Sequence, residues 1–385
     1  MQKKNVIFGA GMYGSIALDK LGEENVLLFL DNSPEKQHTQ FRGKEIISVE
    51  EFLPLKDKYH VVIASLYGGQ MERQLADMGI EDYSFFLEEH QKFYGTEELV
   101  FNPYETIPEA RTESEWVESE RLAYARKAVY DAVESMAGKK ILFNHVEVET
   151  INRCNGVCSF CPVNRNADPR EEKVMSWELF REIVRQLEEI NYAGRFTTFS
   201  NNEPLLDERM IELNRYARER LPKARFHLYT NGTLLTLDKF VALTEILDEL
   251  IIDNYQQELK LIKPCVQIVE YCDKHPELKK KVTIVLRKPQ EILTSRGGHA
   301  PNRSHVASYG KERCLLPFKQ MIIRPDGKVS LCCNDALGKY TLGDVSREKL
   351  VDIWYGPKFE TVRKCLYEGR ENWGDCRFCD TFSMG

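Results

Sequence analysis

Cys154-Asn-Gly-Val-Cys158-Ser-Phe-Cys161 is the stretch on which the reading of this 385-residue chain turns. It follows His145-Val-Glu-Val-Glu-Thr150, which reads as a strand. Three thiols therefore crowd one tight loop just past a strand. Three thiolates leave tetrahedral zinc one ligand short. They suffice for three irons of a [4Fe–4S] cluster, whose fourth iron stays open to a substrate or cosubstrate. A zinc knuckle with a remote fourth ligand is the competing reading. A loop at the C-terminal end of a strand is also where a βα barrel keeps its chemistry.

Downstream of the loop, β/α alternation continues. Arg195–Ser200, Arg225–Thr230, Glu249–Asn254 and Val282–Leu286 are candidate strands with helices between them. Ser176 is a good N-cap for Ser176–Ile190, whose Phe180, Ile183, Val184, Leu187 and Ile190 form one apolar stripe. Five such units predict a partial barrel, and a sixth strand is not apparent. Upstream, residues 1–95 read as a separate α/β unit with strands Asn5–Phe8, Asn25–Asp31 and Tyr59–Ser65, a helix over Gly69–Met78 and a last strand near Glu81–Leu87. Residues 96–140 read as an acidic linker followed by a helix that places Leu122, Ala125, Val129, Val133 and Met136 on one face, packed on the next domain. The core domain is expected over 141–311 and an irregular, cysteine-rich module over 312–385.

Composition narrows the function. Lys and Arg number 53 against 60 Asp and Glu, a net charge of −7, which argues against a dedicated nucleic-acid binder. No apolar run approaches the roughly 18–20 residues needed to span a bilayer. The N-terminus runs straight into a glycine motif rather than a signal sequence, so a cytoplasmic protein is expected. Eleven cysteines in such a compartment point to metal or cluster ligation rather than disulfides.

The cysteine loop, with Phe160 before its last thiol, resembles the signature of the radical S-adenosylmethionine (SAM) superfamily, and the resemblance extends over about residues 141–300. It implies that Cys154, Cys158 and Cys161 hold a [4Fe–4S] cluster whose open iron binds the amino and carboxylate groups of SAM. Reductive cleavage of SAM then yields a 5′-deoxyadenosyl radical that abstracts hydrogen from substrate. It also implies a flavodoxin- or ferredoxin-type reductant. The family's Gly-Gly-Glu motif corresponds to Asn201-Asn202-Glu203 here, where Glu203 keeps the anion that an ammonium wants and both glycines are replaced. Thr230 and Asn231, in Tyr229-Thr-Asn-Gly232, resemble a segment that lines the SAM site. Asn-Gly is equally a turn former. Arg287, ending a strand, is expected to clamp a carboxylate of SAM or substrate. The loop Thr294-Ser-Arg-Gly-Gly-His299 either faces substrate or is solvated.

At the other end, Cys314, Cys332, Cys376 and Cys379 form a plausible four-thiolate site, for zinc or for a cluster. Pro325-Asp-Gly327 marks a hairpin between Lys319–Arg324 and Lys328–Leu331. The pattern C-x12-G-x4-C followed by C-x2-C resembles the SPASM and Twitch auxiliary-cluster modules. Its spacing resembles that of single-cluster aminocyclitol dehydrogenation enzymes, which implies one auxiliary [4Fe–4S] cluster. Cys333 could replace its neighbour as a ligand, while Cys265, Cys272 and Cys365 read as ordinary buried thiols.

In the first unit, Gly9-Ala-Gly11-Met-Tyr-Gly14 between strand and helix is the dinucleotide fingerprint. Asp31, 20 residues past Gly11, stands where a ribose-binding acid belongs. The unit resembles small Rossmann-like domains of sugar acyltransferases, which implies a nucleotide or nucleotide-sugar ligand, with a scaffold role as the competing reading. The whole is thus expected to be an α/β protein with a Rossmann-like N-terminal domain, a partial (β/α)6 radical SAM barrel and a Twitch-type module. Its expected reaction is oxidation of a carbohydrate-type small molecule. Sugar epimerisation and peptide modification are the alternatives.

Overall fold

The computed structural model describes residues 3–65, 68–86, 113–303 and 309–382, which fall into two compact units. The first holds strands β1 (Asn5–Phe8), β2 (Val26–Leu30), β3 (Gln40–Phe41), β4 (Lys44–Ile47), β5 (His60–Ile63) and β6 (Tyr83–Phe85), with helices α1 (Met12–Leu21), α2 (Val49–Phe52) and α3 (Gly68–Asp77). The sheet order is β3-β4-β2-β1-β5-β6, parallel except for the β3–β4 hairpin. Val6, Ile7 and Phe8 are all buried because helices cover both faces of the sheet. Ile7 and Phe29 pack with α1 on one side, and Val6, Phe8 and Leu28 pack with α2 and α3 on the other. The β3–β4 hairpin is absent from the sequence reading. So is α2, although Ser48 and Glu51 form its reciprocal capping box.

Helix α4 (Glu113–Met136) enters the second unit. Its Val129 and Val133 pack on Leu315, Phe318, Tyr367 and Phe382. The helix expected to cover the core domain therefore covers the cysteine-rich segment instead. Five parallel strands follow: β7 (His145–Val148), β8 (Arg195–Thr197), β9 (Arg225–Thr230), β10 (Glu249–Tyr255) and β11 (Val282–Arg287). Helices α5 (Trp177–Glu189), α6 (Met210–Arg220), α7 (Leu237–Ile246) and α8 (Lys263–Lys274) connect them. Ser176 caps α5 as expected, accepting from the Leu179 amide, and Phe180, Ile183, Val184 and Leu187 are buried.

The missing sixth strand lies on the opposite edge from β11. It is β12 (Gln320–Ile323), which pairs parallel to β7 and then turns through the expected hairpin into β13 (Lys328–Ser330) and β14 (Thr341–Asp344). The sheet runs β11-β10-β9-β8-β7-β12-β13-β14. Residue 312 is consequently not a sheet boundary. Helices α9 (Leu350–Trp354) and α10 (Pro357–Glu368) close the segment. Among the described residues no helix is long and apolar enough to cross a membrane.

Candidate active site

The C-terminal ends of β7 to β10 open on a cavity of about 140 Å³ lined by Cys154, Cys158 and Cys161 together with Phe160, Glu203, Tyr255 and Arg296. The thiol loop is wound by its own polar groups. Asn164 Nδ2 donates to the carbonyls of Cys158 and Cys161 at 3.3 and 2.8 Å, and the Gly156 amide donates to Cys154 Sγ at 3.3 Å. Burial pushes the Cys154 and Cys158 thiols up to about 12. They are protonated until a metal displaces the protons. Phe160 is buried with its ring 5.9 Å from Tyr255. Among the described residues no three His, Cys, Asp or Glu groups converge closely enough to chelate a single ion. Cys154, Cys158 and Cys161 all line the one cavity, a donor set that fits three irons of a [4Fe–4S] cluster.

Glu203 is buried beside this loop. Its Oε1 accepts from Thr230 Oγ1 at 2.7 Å and from the Leu205 amide at 3.1 Å, and its Oε2 accepts from the Asn231 amide at 2.8 Å. Burial raises its pKa, while these donors favour the carboxylate and hold both oxygens in place for an arriving ammonium. Asn231 also donates from its side chain to Asn155 in the thiol loop, at 2.7 Å. The asparagines that replace the glycines have their own tasks. Asn202 Oδ1 accepts from the Ser200 amide, and Asn201 Nδ2 donates to the Cys333 carbonyl at 3.0 Å. Arg170, which the sequence did not mark, ties the layer together: it reaches Glu149, Asp168 and the carbonyls of Asn152 and Asn201.

Arg287, the expected clamp, is not among the residues that line the cavity. Its guanidinium is engaged by Glu291 at 2.8 Å and faces Asp253 at 3.8 Å. The arginine that lines the cavity is Arg296, within electrostatic reach of Cys161, Cys333 and Tyr255. Its loop is not solvated. Arg296, Gly297 and Gly298 take φ of 51°, 63° and 86°, and the loop is pinned from below. Ser295 donates its amide to Asp380 at 2.8 Å and its hydroxyl to the Phe378 carbonyl at 2.7 Å, and His299 pairs with Asp375 at 3.1 Å.

Cys314, Cys332, Cys376 and Cys379 interact electrostatically as one group, and burial raises the pKa of Cys314, Cys332 and Cys376. Arg370, almost fully buried, binds the Arg313 and Cys379 carbonyls and so joins the segment before Cys314 to the segment at Cys379. Its charge also favours the Cys314 thiolate. Cys333 is within electrostatic reach of Cys332 and Cys379 and also of Glu147 and Arg296. Cys265 and Cys272 are buried on α8, and Cys365 lies on α10.

In the first unit the glycine turn forms as the fingerprint requires. Gly9 has φ of 119°, and a Cβ at Gly14 would run into the Gly9 carbonyl. Asp31 departs from its expected role. Its Oδ2 accepts from the Ala10 amide and Lys36 Nζ, both at 2.9 Å, and its Oδ1 accepts from the Ser33 amide. The carboxylate holds the glycine turn rather than reaching outward.

Comparison with known proteins agrees with this layout. Residues 148–255 match the radical SAM superfamily model, residues 314–380 an iron–sulfur cluster-binding domain (SPASM), and residues 1–86 the C2185-like N-terminal model. The S-adenosyl-L-methionine-dependent 2-deoxy-scyllo-inosamine dehydrogenase of Niallia circulans is 29% identical over 245 residues, covering 63% of this chain and 95% of its own. The crystal structure of BtrN in complex with AdoMet and 2-DOIA superposes with a TM-score of 0.55 at 28% identity, over 63% of this chain and 95% of that one. SAM and [4Fe–4S] clusters are therefore the cofactors of both halves of the second unit. The chain is a radical SAM enzyme with a C-terminal iron–sulfur module of SPASM/Twitch type.

Proposed function

We propose that the enzyme oxidises a secondary alcohol on a small carbohydrate-type molecule, with Cys154, Cys158 and Cys161 holding the SAM cluster and Cys314, Cys332, Cys376 and Cys379 one auxiliary cluster. The observation that carries this reading is the position of Arg296. It lines the chamber together with Cys154, Cys158 and Cys161, and its charge reaches Cys333, the immediate neighbour of Cys332 in the second set. A polyol seated on Arg296 would meet both sets at once. SAM bound at the first cluster supplies a hydrogen-abstracting radical, and the auxiliary cluster supplies an acceptor for the electron left behind. Glu203 would take the SAM ammonium, and Arg296 would orient a substrate hydroxyl. The relative's substrate is an aminocyclitol by its name, which favours a hydroxylated ring of that size. A flavodoxin- or ferredoxin-type protein would supply the first electron.

The test is anaerobic incubation with SAM, a flavodoxin reductant and 2-deoxy-scyllo-inosamine, free sugars or nucleotide sugars. One equivalent of 5′-deoxyadenosine per product two hydrogens lighter is the expected result. Redox-neutral epimerisation is a second reading because the Cys333 thiol is within electrostatic reach of the cavity-lining Arg296, from where it could return a hydrogen atom. An isomer of unchanged formula that carries one solvent deuterium, lost in Cys333→Ala, would establish it instead.

A further inference from the structure

Of four carboxylates at the C-terminal ends of the strands, Glu203 and Asp253 line the chamber, Glu147 and Glu149 lie at β7 outside its lining, and three of the four are already committed. Glu203 accepts from two amides and a hydroxyl, Glu149 takes Arg170 with both oxygens, and Asp253 faces Arg287. Glu147 differs. Its Oε1 accepts from Gln320 Nε2 at 2.6 Å, while its Oε2 is buried with no hydrogen-bond partner. It stands on β7 two residues below Glu149, close to Arg296 and the Cys333 thiol, and the hydroxyl of the cavity-lining Ser200 favours its ionised form. Deeper in the barrel, His145 Nε2 lies 3.6 Å from Glu147 Oε1, and neither ring nitrogen of His145 has a partner. The His227 ring stands 5.2 Å from that of His145, and its Nδ1 is also without a partner. A polar file thus runs from the chamber down the barrel, where aliphatic side chains would be the ordinary filling.

Resting on the oxidation reading, we propose that Glu147 is the proton acceptor of the reaction and that His145 is the first station on the proton's way out through the barrel. Once the carbon bearing the hydroxyl has lost a hydrogen atom, C•–OH becomes C=O. The auxiliary cluster, if held by Cys314, Cys332, Cys376 and Cys379, would supply the electron acceptor, and Glu147 Oε2 takes the proton. The groups facing Glu147 suit that role. Burial brings it up to about 7 against Ser200, Arg296, Arg195 and the Gln320 amide, which favour its anion, so it both takes and releases a proton near neutrality. The Cys333 thiol, the remaining titratable neighbour, is kept protonated by burial. His145 is held neutral by burial and by Arg195 and Lys319, so it would take up a proton at its bare ring nitrogen and release the one on the other, ending neutral.

Two measurements on the cluster-loaded full chain decide the matter, with 2-deoxy-scyllo-inosamine as the probe for turnover. Infrared difference spectra, wild type minus Glu147→Gln, should show a carboxyl band titrating at roughly pH 6 to 8. Glu147→Gln should still cleave SAM and move substrate deuterium into 5′-deoxyadenosine, while the oxidised product falls about 100-fold or more and Glu147→Asp recovers part of it. Iron content should be unchanged in both variants. A band that titrates below about pH 5 overturns the inference. So does oxidised product from Glu147→Gln within about threefold of wild type, since general base catalysis contributes far more. Wild type that yields only an isomer overturns the oxidation reading and this inference with it.

Discussion

His227 carries the pH behaviour of the barrel interior. Burial, with Arg195 and His145 nearby, holds it at about 2 against 6.5 for a free imidazole. Between those values the unfolded chain binds a proton that the folded chain refuses, so stability falls as pH drops below 6.5. His227→Phe should remove that liability. In urea unfolding of the cluster-free chain, the variant should lose about 1 kcal/mol less than the parent on going from about pH 7 to about pH 5.5. Equal losses would mean that His227 is protonated in the fold. Residue types were more legible in the sequence than residue roles. The thiols announce themselves by spacing, and Glu203 by its place after the second strand. The choice between Arg287 and Arg296 was not legible, because it depends on Glu291 and Asp253, which neutralise Arg287. Glu147 looked like an alternating strand residue, and nothing local marks its unpartnered oxygen.

At the scale of elements, two short segments carry independent tests. Arg370 spans the segments at Arg313 and Cys379, so Arg370→Met should release the second thiol set and spare the first. Anaerobic reconstitution should then give about 4 Fe per chain instead of about 8, with SAM cleavage retained. Replacing Cys154, Cys158 and Cys161 by Ala should also leave about 4 Fe, but with no SAM cleavage. Iron loss from both sets in Arg370→Met would show that the two do not load separately. In the first unit, a Cβ at Gly11 meets nothing within 4 Å, so Gly11→Val should leave the fold intact. If a phosphate sits at the head of α1, that side chain would stand in its path. Binding of nucleotide sugars, followed by calorimetry, should weaken at least tenfold in Gly11→Val, by the scale of a lost anion contact. No binding by the wild type would leave the unit as a scaffold. Most strands were legible from their apolar runs, since parallel strands buried on both faces have no polar alternation to hide them. The sixth was missed because β12 reaches β7 from across 173 residues, as between Glu147 and Gln320, and periodicity carries no information about partners.

The molecule as a whole need not be cut where its families meet. The Niallia circulans relative spends 95% of its length on 63% of this chain, so its kind of enzyme manages without a first unit. Residues 125–385 alone should therefore bind both clusters and cleave SAM at a rate within about threefold of the full chain, as expected of units with their own cores. A chain ended at residue 311 should fail. It removes β12 and leaves the edge of β7 unpaired, and all four residues of that edge are buried. Sedimentation should show aggregation rather than a compact monomer of the barrel. A monodisperse, cluster-binding product would show that the module is an appendage.

The pinning of the Arg296 loop sets an order of birth for this enzyme. Ser295 waits for Asp380, 85 positions later in translation, and His299 waits for Asp375, 76 positions later. Those two aspartates flank the Cys376–Cys379 pair. A nascent chain can thus complete its first thiol loop and hold iron there while Arg296 still lacks its seat. Until the distal cysteines have emerged and folded back, such an intermediate is equipped to break SAM but has no floor on which to hold anything else, and a cell gains by finishing the chain before it supplies the electrons.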